Sequence, residues 1–167
     1  MRDLKTYIWV GPYLGIILCS IALFAPAAFF ENIIWNHEII NWIWGLFQDT
    51  FNSYVTNGFY EDPLQLIPSV ITSSVILISI LILCMGLVKH RDDLKKGSIN
   101  LSTYIIPAVC IIISAIFWMV MMEIAERSIY DLSMWDRYVP SFGVIGLFIG
   151  AGLIIFGSLI IKFIRTS

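Results

Sequence analysis

Four long stretches without a central charge decide what this chain can become. They cover about residues 7–30, 64–89, 103–124 and 139–164. A helix needs about 20 apolar residues to cross a hydrocarbon core of about 30 Å. In lipid every backbone polar group must be satisfied internally, which leaves helices or closed barrels. Runs such as Val75–Leu83 lack the alternation of barrel strands. The expected fold class is all-α, an integral membrane four-helix bundle forming one domain, 1–167. Composition agrees: 59% of the 167 residues are hydrophobic, 13% are charged, and mean hydropathy is +0.86. Soluble domains are about half apolar and about a quarter charged. This balance excludes an ordinary soluble enzyme, a disordered tail and a nucleic-acid binder with a basic face.

The basic residues set a direction. Arg2 and Lys5 precede the first span; Lys89, Arg91, Lys95 and Lys96 flank the connection between the second and third; Lys162 and Arg165 close the chain. The long segment 31–63 has no Lys or Arg, and 125–138 has only Arg127 and Arg137. The positive-inside rule places both termini and loop 89–102 in the cytoplasm of a multi-pass cell-membrane protein. The sequon Asn100-Leu101-Ser102 then faces the cytoplasm and should be silent. Ala25-Pro26-Ala27 resembles a signal-peptidase site, but the apolar run before it exceeds the usual h-region.

The spans also suggest a tandem repeat of a two-helix hairpin. Thr6-Tyr7-Ile8 with Pro12 matches Thr103-Tyr104-Ile105 with Pro107, and Ile67-Pro68-Ser69 matches Val139-Pro140-Ser141. Proline at helix starts and lysine at inner ends could arise independently, so duplication and convergence both remain open.

Residues 31–63 distinguish the halves. At about 100° per residue, Glu38, Asn41, Gly45, Gln48, Asp49, Asn52, Ser53 and Thr56 fall on one arc, with Ile39, Ile40, Ile43, Trp44, Phe47 and Phe51 opposite. This period predicts an amphipathic outer helix over 37–56, with Asn36 as N-cap and Asn57-Gly58 as stop. Its apolar face would rest on the bundle, on the lipid interface with Trp35, Trp42 and Trp44 at headgroup depth, or on a partner. Trp35, Trp42, Trp44, Phe47 and Phe51 are therefore candidate interaction residues. Gly146 and Gly150 join them as a G-x-x-x-G step on a glycine face with Gly143 and Gly157. That face serves close packing inside the bundle or association with another helix.

Groups that carry chemistry are sparse. The mid-membrane stretches hold no Asp, Glu, Lys, Arg or His, the residues that proton relays and many coupled transporters use. Cys19, Cys84 and Cys110 lie in apolar runs without a C-x-x-C, as apolar filler rather than a relay or metal site. Ser69, Ser73, Ser74, Ser79 and Ser114 have no adjacent base and read as interhelical bonding or packing residues. Catalysis and a cofactor are not expected. The external carboxylates, chiefly Glu31, Glu38, Glu123 and Glu126, form a candidate acidic cluster, more simply a solvated face than a metal site.

The plan of four spans, a long first outer loop and a shorter second one resembles the claudin and peripheral-myelin-type four-span families. Trp35 and Gly45-Leu46-Phe47 look like a form of their Trp…Gly-Leu-Trp loop motif, whereas their paired loop cysteines are absent. The resemblance implies a β-sheet in the first loop, where the periodicity implies a helix. The leading expectation is a non-enzymatic protein acting through contacts in the bilayer, with other membrane proteins or with itself, as a complex subunit or claudin-like organiser. The alternatives are a small channel or transporter with an acidic external mouth, and a lipid-acting enzyme using Glu123, Glu126 or His37.

Overall fold

The structure, a computed structural model, describes residues 10–89 and 100–166. Residues 1–9, where the first expected span starts, and the basic connector 90–99 lie outside the described residues. Among the described residues are four α-helices: α1 (Val10–Phe24), α2 (Pro63–Lys89), α3 (Leu101–Tyr130) and α4 (Phe142–Thr166). α2, α3 and α4 are long and apolar enough to cross a membrane; α1 is apolar over its 15 described residues. Ile76, Leu83, Ile111, Trp118, Leu147 and Ile154 fill the bundle interior. Ile17, Ile21, Leu81, Ile113, Ile149 and Phe156 are equally apolar yet point outward. Water would penalise such a surface, and lipid does not.

Close packing of helices in lipid depends on small residues and interhelical hydrogen bonds. α1 lies along α4, backbone to backbone. A Cβ on Gly15 would stand 2.5 Å from the Gly150 carbonyl oxygen, and one on Gly150 would stand 2.5 Å from Cys19 Sγ. Gly146 meets Ala22 and Gly157 meets Pro12 in the same contact. The glycine face of Gly146 and Gly150 is thus used within the bundle. α2 is tied to α3 by Trp118 Nε1–H to Ser69 Oγ (3.1 Å) and Tyr104 O–H to the Gly86 carbonyl (3.1 Å). Ser73 and Ser74 instead donate back to Val70 of their own helix. Asn100, part of the sequon, caps α3 by accepting from the Ser102 N–H. The halves expected as copies are packed differently: α3 and α4 adjoin closely, α1 and α2 far less. Pro68 lies inside α2, whereas Pro140 sits in a strand before α4.

The all-α expectation and the outer helix 37–56 are overturned. This segment folds as antiparallel strands β1 (Ala28–Asn32), β2 (His37–Asn41), β3 (Leu46–Phe51) and β4 (Tyr54–Phe59). β5 (Val139–Pro140) from the second connection completes the order β4-β3-β2-β1-β5. The first span consequently ends at Phe24 rather than 30, and the third runs on to Tyr130. The polar residues that suggested a helix have two unrelated origins. Asn41 and Asp49 are strand residues facing one side of the sheet, while Gly45, Asn52 and Ser53 make its turns. Turns about eight residues apart with inward polar residues between them imitate a period near 3.6. Strand alternation is meanwhile erased at Ile39-Ile40, successive residues that point to opposite faces and are both apolar. The segment's richness in Ile, Thr, Phe, Tyr and Val was the signal for strands.

The turns explain how the sheet sits on the bundle. Gly45 has φ +91°, a conformation costly for a residue with a Cβ, and it presses against Ser69 and Leu66 of α2. Asn52 and Ser53, at φ +48° and +72°, form the two-residue β3–β4 hairpin, the mirror-image turn that suits strand twist. At the other edge, the Gly143 N–H donates to the Pro26 carbonyl (2.6 Å) and the Ser141 N–H to the Ala27 carbonyl (2.8 Å). These bonds bind both helix–strand junctions together.

Candidate functional site

Between one face of the sheet and the adjoining ends of α2 and α3 lies a cleft of about 850 Å³. Strand alternation turns Ile39, Asn41, Phe47 and Asp49 toward it, and the helices contribute Gln65 and Glu126. Thirty residues at about 1.5 Å each make α3 about 45 Å long, against a hydrocarbon core of about 30 Å. Its charge-free part ends at Met122, so Glu126 stands one turn beyond the uncharged stretch, beside the sheet.

Glu126 is only 5% exposed. Its carboxylate accepts a hydrogen bond from Gln65 Nε2 (3.0 Å), itself buried in the first turn of α2. Burial pushes this carboxyl above its ordinary pKa, against the lowering effects of Arg137 and of the Gln65 bond. Two phenols share the floor. Tyr138 shares a side-chain hydrogen bond with Asn41, and burial, reinforced by the charge of Glu126, moves it up to about 12. Tyr60 is raised well above its ordinary value, first by burial and then by Tyr138 and Glu126. Its ring stacks on Phe47 at 6.0 Å, yet its hydroxyl is sealed from water with no hydrogen-bond partner among the described residues. Such a group carries an unpaid desolvation cost and asks for an explanation.

The expected acidic cluster does not converge. Glu31 and Glu38 are paired across β1 and β2, so they share the face opposite the cleft-lining Ile39. Glu123 is a structural clamp: it pairs with Arg127 and accepts from the Ser133 hydroxyl and the Met134 N–H (2.8 Å). It thereby caps the 3-10 turn Met134–Asp136 and fixes the second connection to α3. Of the four, only Glu126 enters the cleft. His37 bonds Asp49 at 3.0 Å and lies edge-on to Phe30 and Phe51. Among the described residues, no group of three His, Cys, Asp or Glu side chains is placed to hold a metal ion.

The candidate interaction residues are likewise divided. Phe47 packs inward on Tyr60, and Phe51 is 45% exposed beside His37. Trp42 and Trp44 lie in the β2–β3 turn, half-buried, with Trp44 edge-on to Phe59. Trp35 stands at the tip of the β1–β2 turn beside Ile33 and Ile34, which no sequence pattern singles out. Ile33, Ile34 and Trp35 are 84%, 89% and 65% exposed. Asn32 holds that run by accepting from the Ile34 and Trp35 N–H groups. No protein-family model matches the chain, and no curated protein matches it.

Proposed function

We propose that this chain is a non-enzymatic four-span protein of the cell membrane that works through contacts made by its outer sheet, in the manner of claudin-like organisers. α1 supplies the first span in this reading, and both termini lie in the cytoplasm. The β-sheet in the first loop is the feature that the claudin and peripheral-myelin resemblance implies, and it removes the conflict that a helix there would pose. Departure from the family pattern persists in the cysteines: Cys19, Cys84 and Cys110 all lie in helices. Backbone bonds close the β2–β3 turn instead, Trp42 N–H to Leu46 C=O (2.9 Å) and Gly45 N–H to Trp42 C=O (3.0 Å).

The observation that carries the reading is the Ile33-Ile34-Trp35 tip. Three successive large apolar side chains, almost bare, are held out by an ordered turn. Scattered apolar residues are ordinary on a surface, but a contiguous projection marks a contact. Large apolar side chains, Trp118, Ile111, Met122 and Leu147, are fully buried in the bundle interior, which favours contact over conduction. Extraction in a mild neutral detergent followed by native mass measurement tests this. The wild-type chain should run as an assembly with itself or a partner, and the double variant Ile34→Asp, Trp35→Ser should release a folded monomer. A wild-type chain that is monomeric and alone would overturn the proposal.

A further inference from the structure

We infer that the cleft under the sheet is a binding site for an organic ammonium ion, either a free amine or the ammonium of a phospholipid headgroup. Charge gives the sign. Asp49, Glu61, Asp62 and Glu126 line the cleft against one guanidinium, Arg137, so its field favours a cation. Two of these carboxylates already have roles. Asp49 pairs with His37, and Asp62 caps α2 by accepting the Leu64 N–H at 2.7 Å. Glu126, on the floor, has no cationic partner at salt-bridge distance among the described residues.

Shape and lining give the class. A metal ion needs several converging oxygens at about 2–2.6 Å, and a cleft of about 850 Å³ has no such convergence. That volume lies in the range of small-molecule sites. Its walls are aromatic, with Phe47, Tyr130 and Tyr138 around Glu126, and aromatic faces attract alkylated ammonium groups where a carboxylate alone would not discriminate. Tyr60 is the second, independent sign. It is 7% exposed, it lines the same cleft, and its hydroxyl lacks a hydrogen-bond partner among the described residues. A polar group that displaces the side chains covering this hydroxyl supplies that partner. The cleft lies between the sheet and the ends of α2 and α3, which in the four-span reading is headgroup level, within reach of both sources of ammonium.

The test uses the full chain in a neutral maltoside detergent and in nanodiscs. Ethanolamine and tetramethylammonium chlorides are titrated against sodium chloride at equal ionic strength, reading the thermal midpoint. Nanodiscs containing phosphatidylethanolamine or phosphatidylglycerol are analysed by native mass for retained lipid. A saturable midpoint rise with either amine, its apparent affinity falling at least tenfold in Glu126→Gln, supports the site and identifies free amine as a ligand. Selective retention of phosphatidylethanolamine, lost in Glu126→Gln, supports it with lipid as the source. Tyr60→Phe keeps the stack on Phe47 and deletes only the partnerless hydroxyl, so it should fold and bind severalfold more weakly. Amine effects equal to sodium chloride together with equal retention of both lipids overturn the inference. So does binding that neither variant changes. The inference stands apart from the contact function: the Ile34→Asp, Trp35→Ser chain should bind ammonium as the wild type does.

Discussion

At Glu126 two opposing forces act on one carboxylate. Burial beneath the sheet disfavours its charged form; Arg137 and the Gln65 hydrogen bond favour it, and Glu123 adds a further unfavourable charge. Burial prevails, so the folded chain holds the proton more tightly than the unfolded one. Stability then falls as pH rises from the ordinary carboxyl range through the elevated folded-state value, and the cost is fully present above it. One pKa unit corresponds to about 1.4 kcal/mol. Glu126→Gln retains the shape and can still meet Gln65, so it removes this cost. At neutral pH its thermal midpoint in detergent should exceed that of the wild type, and the gap should close toward pH 4. A gap that is constant across pH, or a less stable variant at pH 7, would show that the carboxylate is instead held by its partners.

The β3–β4 hairpin offers a test in which sheet and helix give opposite signs. Ser53 sits at φ +72°, where a residue with a Cβ is strained by roughly 1–2 kcal/mol and glycine is not. Ser53→Gly should therefore stabilise the fold by about 0.5–1 kcal/mol, after the added freedom of the unfolded chain is counted. In a helix the same change would cost a few tenths of a kcal/mol or more. Denaturant unfolding monitored by fluorescence reads the sign directly. This turn also explains how much was legible in the sequence. The helices were, because lipid demands long uninterrupted apolar runs that little else imitates. Asn52-Ser53 stands where Asn-Gly would have announced a hairpin, and the adjacent apolar pair Ile39-Ile40 hid the alternation. The site was legible in part. Glu126 was singled out for its charge, but Tyr60, Asn41 and Gln65 meet it only through sheet pairing and the packing of α2 on α3. No spacing along the chain carries that information.

On the scale of the whole molecule the charges are sorted by segment of the sequence. Residues 1–5, 89–96 and 162–165 carry eight basic and three acidic side chains; segments 31–62 and 123–137 carry two basic and nine acidic. The opposite sums, +5 and −7, add to the chain's net −2. The sheet forms on the acidic end, while Lys89 and Lys162 stand at the far ends of α2 and α4. Lysine and arginine resist translocation, whereas carboxylates contribute little to orientation. Hence the sheet should be delivered outside, and the acidic cleft with it. Single cysteines at Ile34→Cys and Ser98→Cys, in a chain whose Cys19, Cys84 and Cys110 are alanine, decide the matter. A membrane-impermeant maleimide should label Ile34→Cys on intact cells and Ser98→Cys only after permeabilisation. The reverse pattern would place the sheet in the cytoplasm, where an outward-facing contact surface has no meaning. It would leave the cleft intact but change its ligand supply from the outer to the inner leaflet, so the ammonium measurement would survive a result that the contact reading would not.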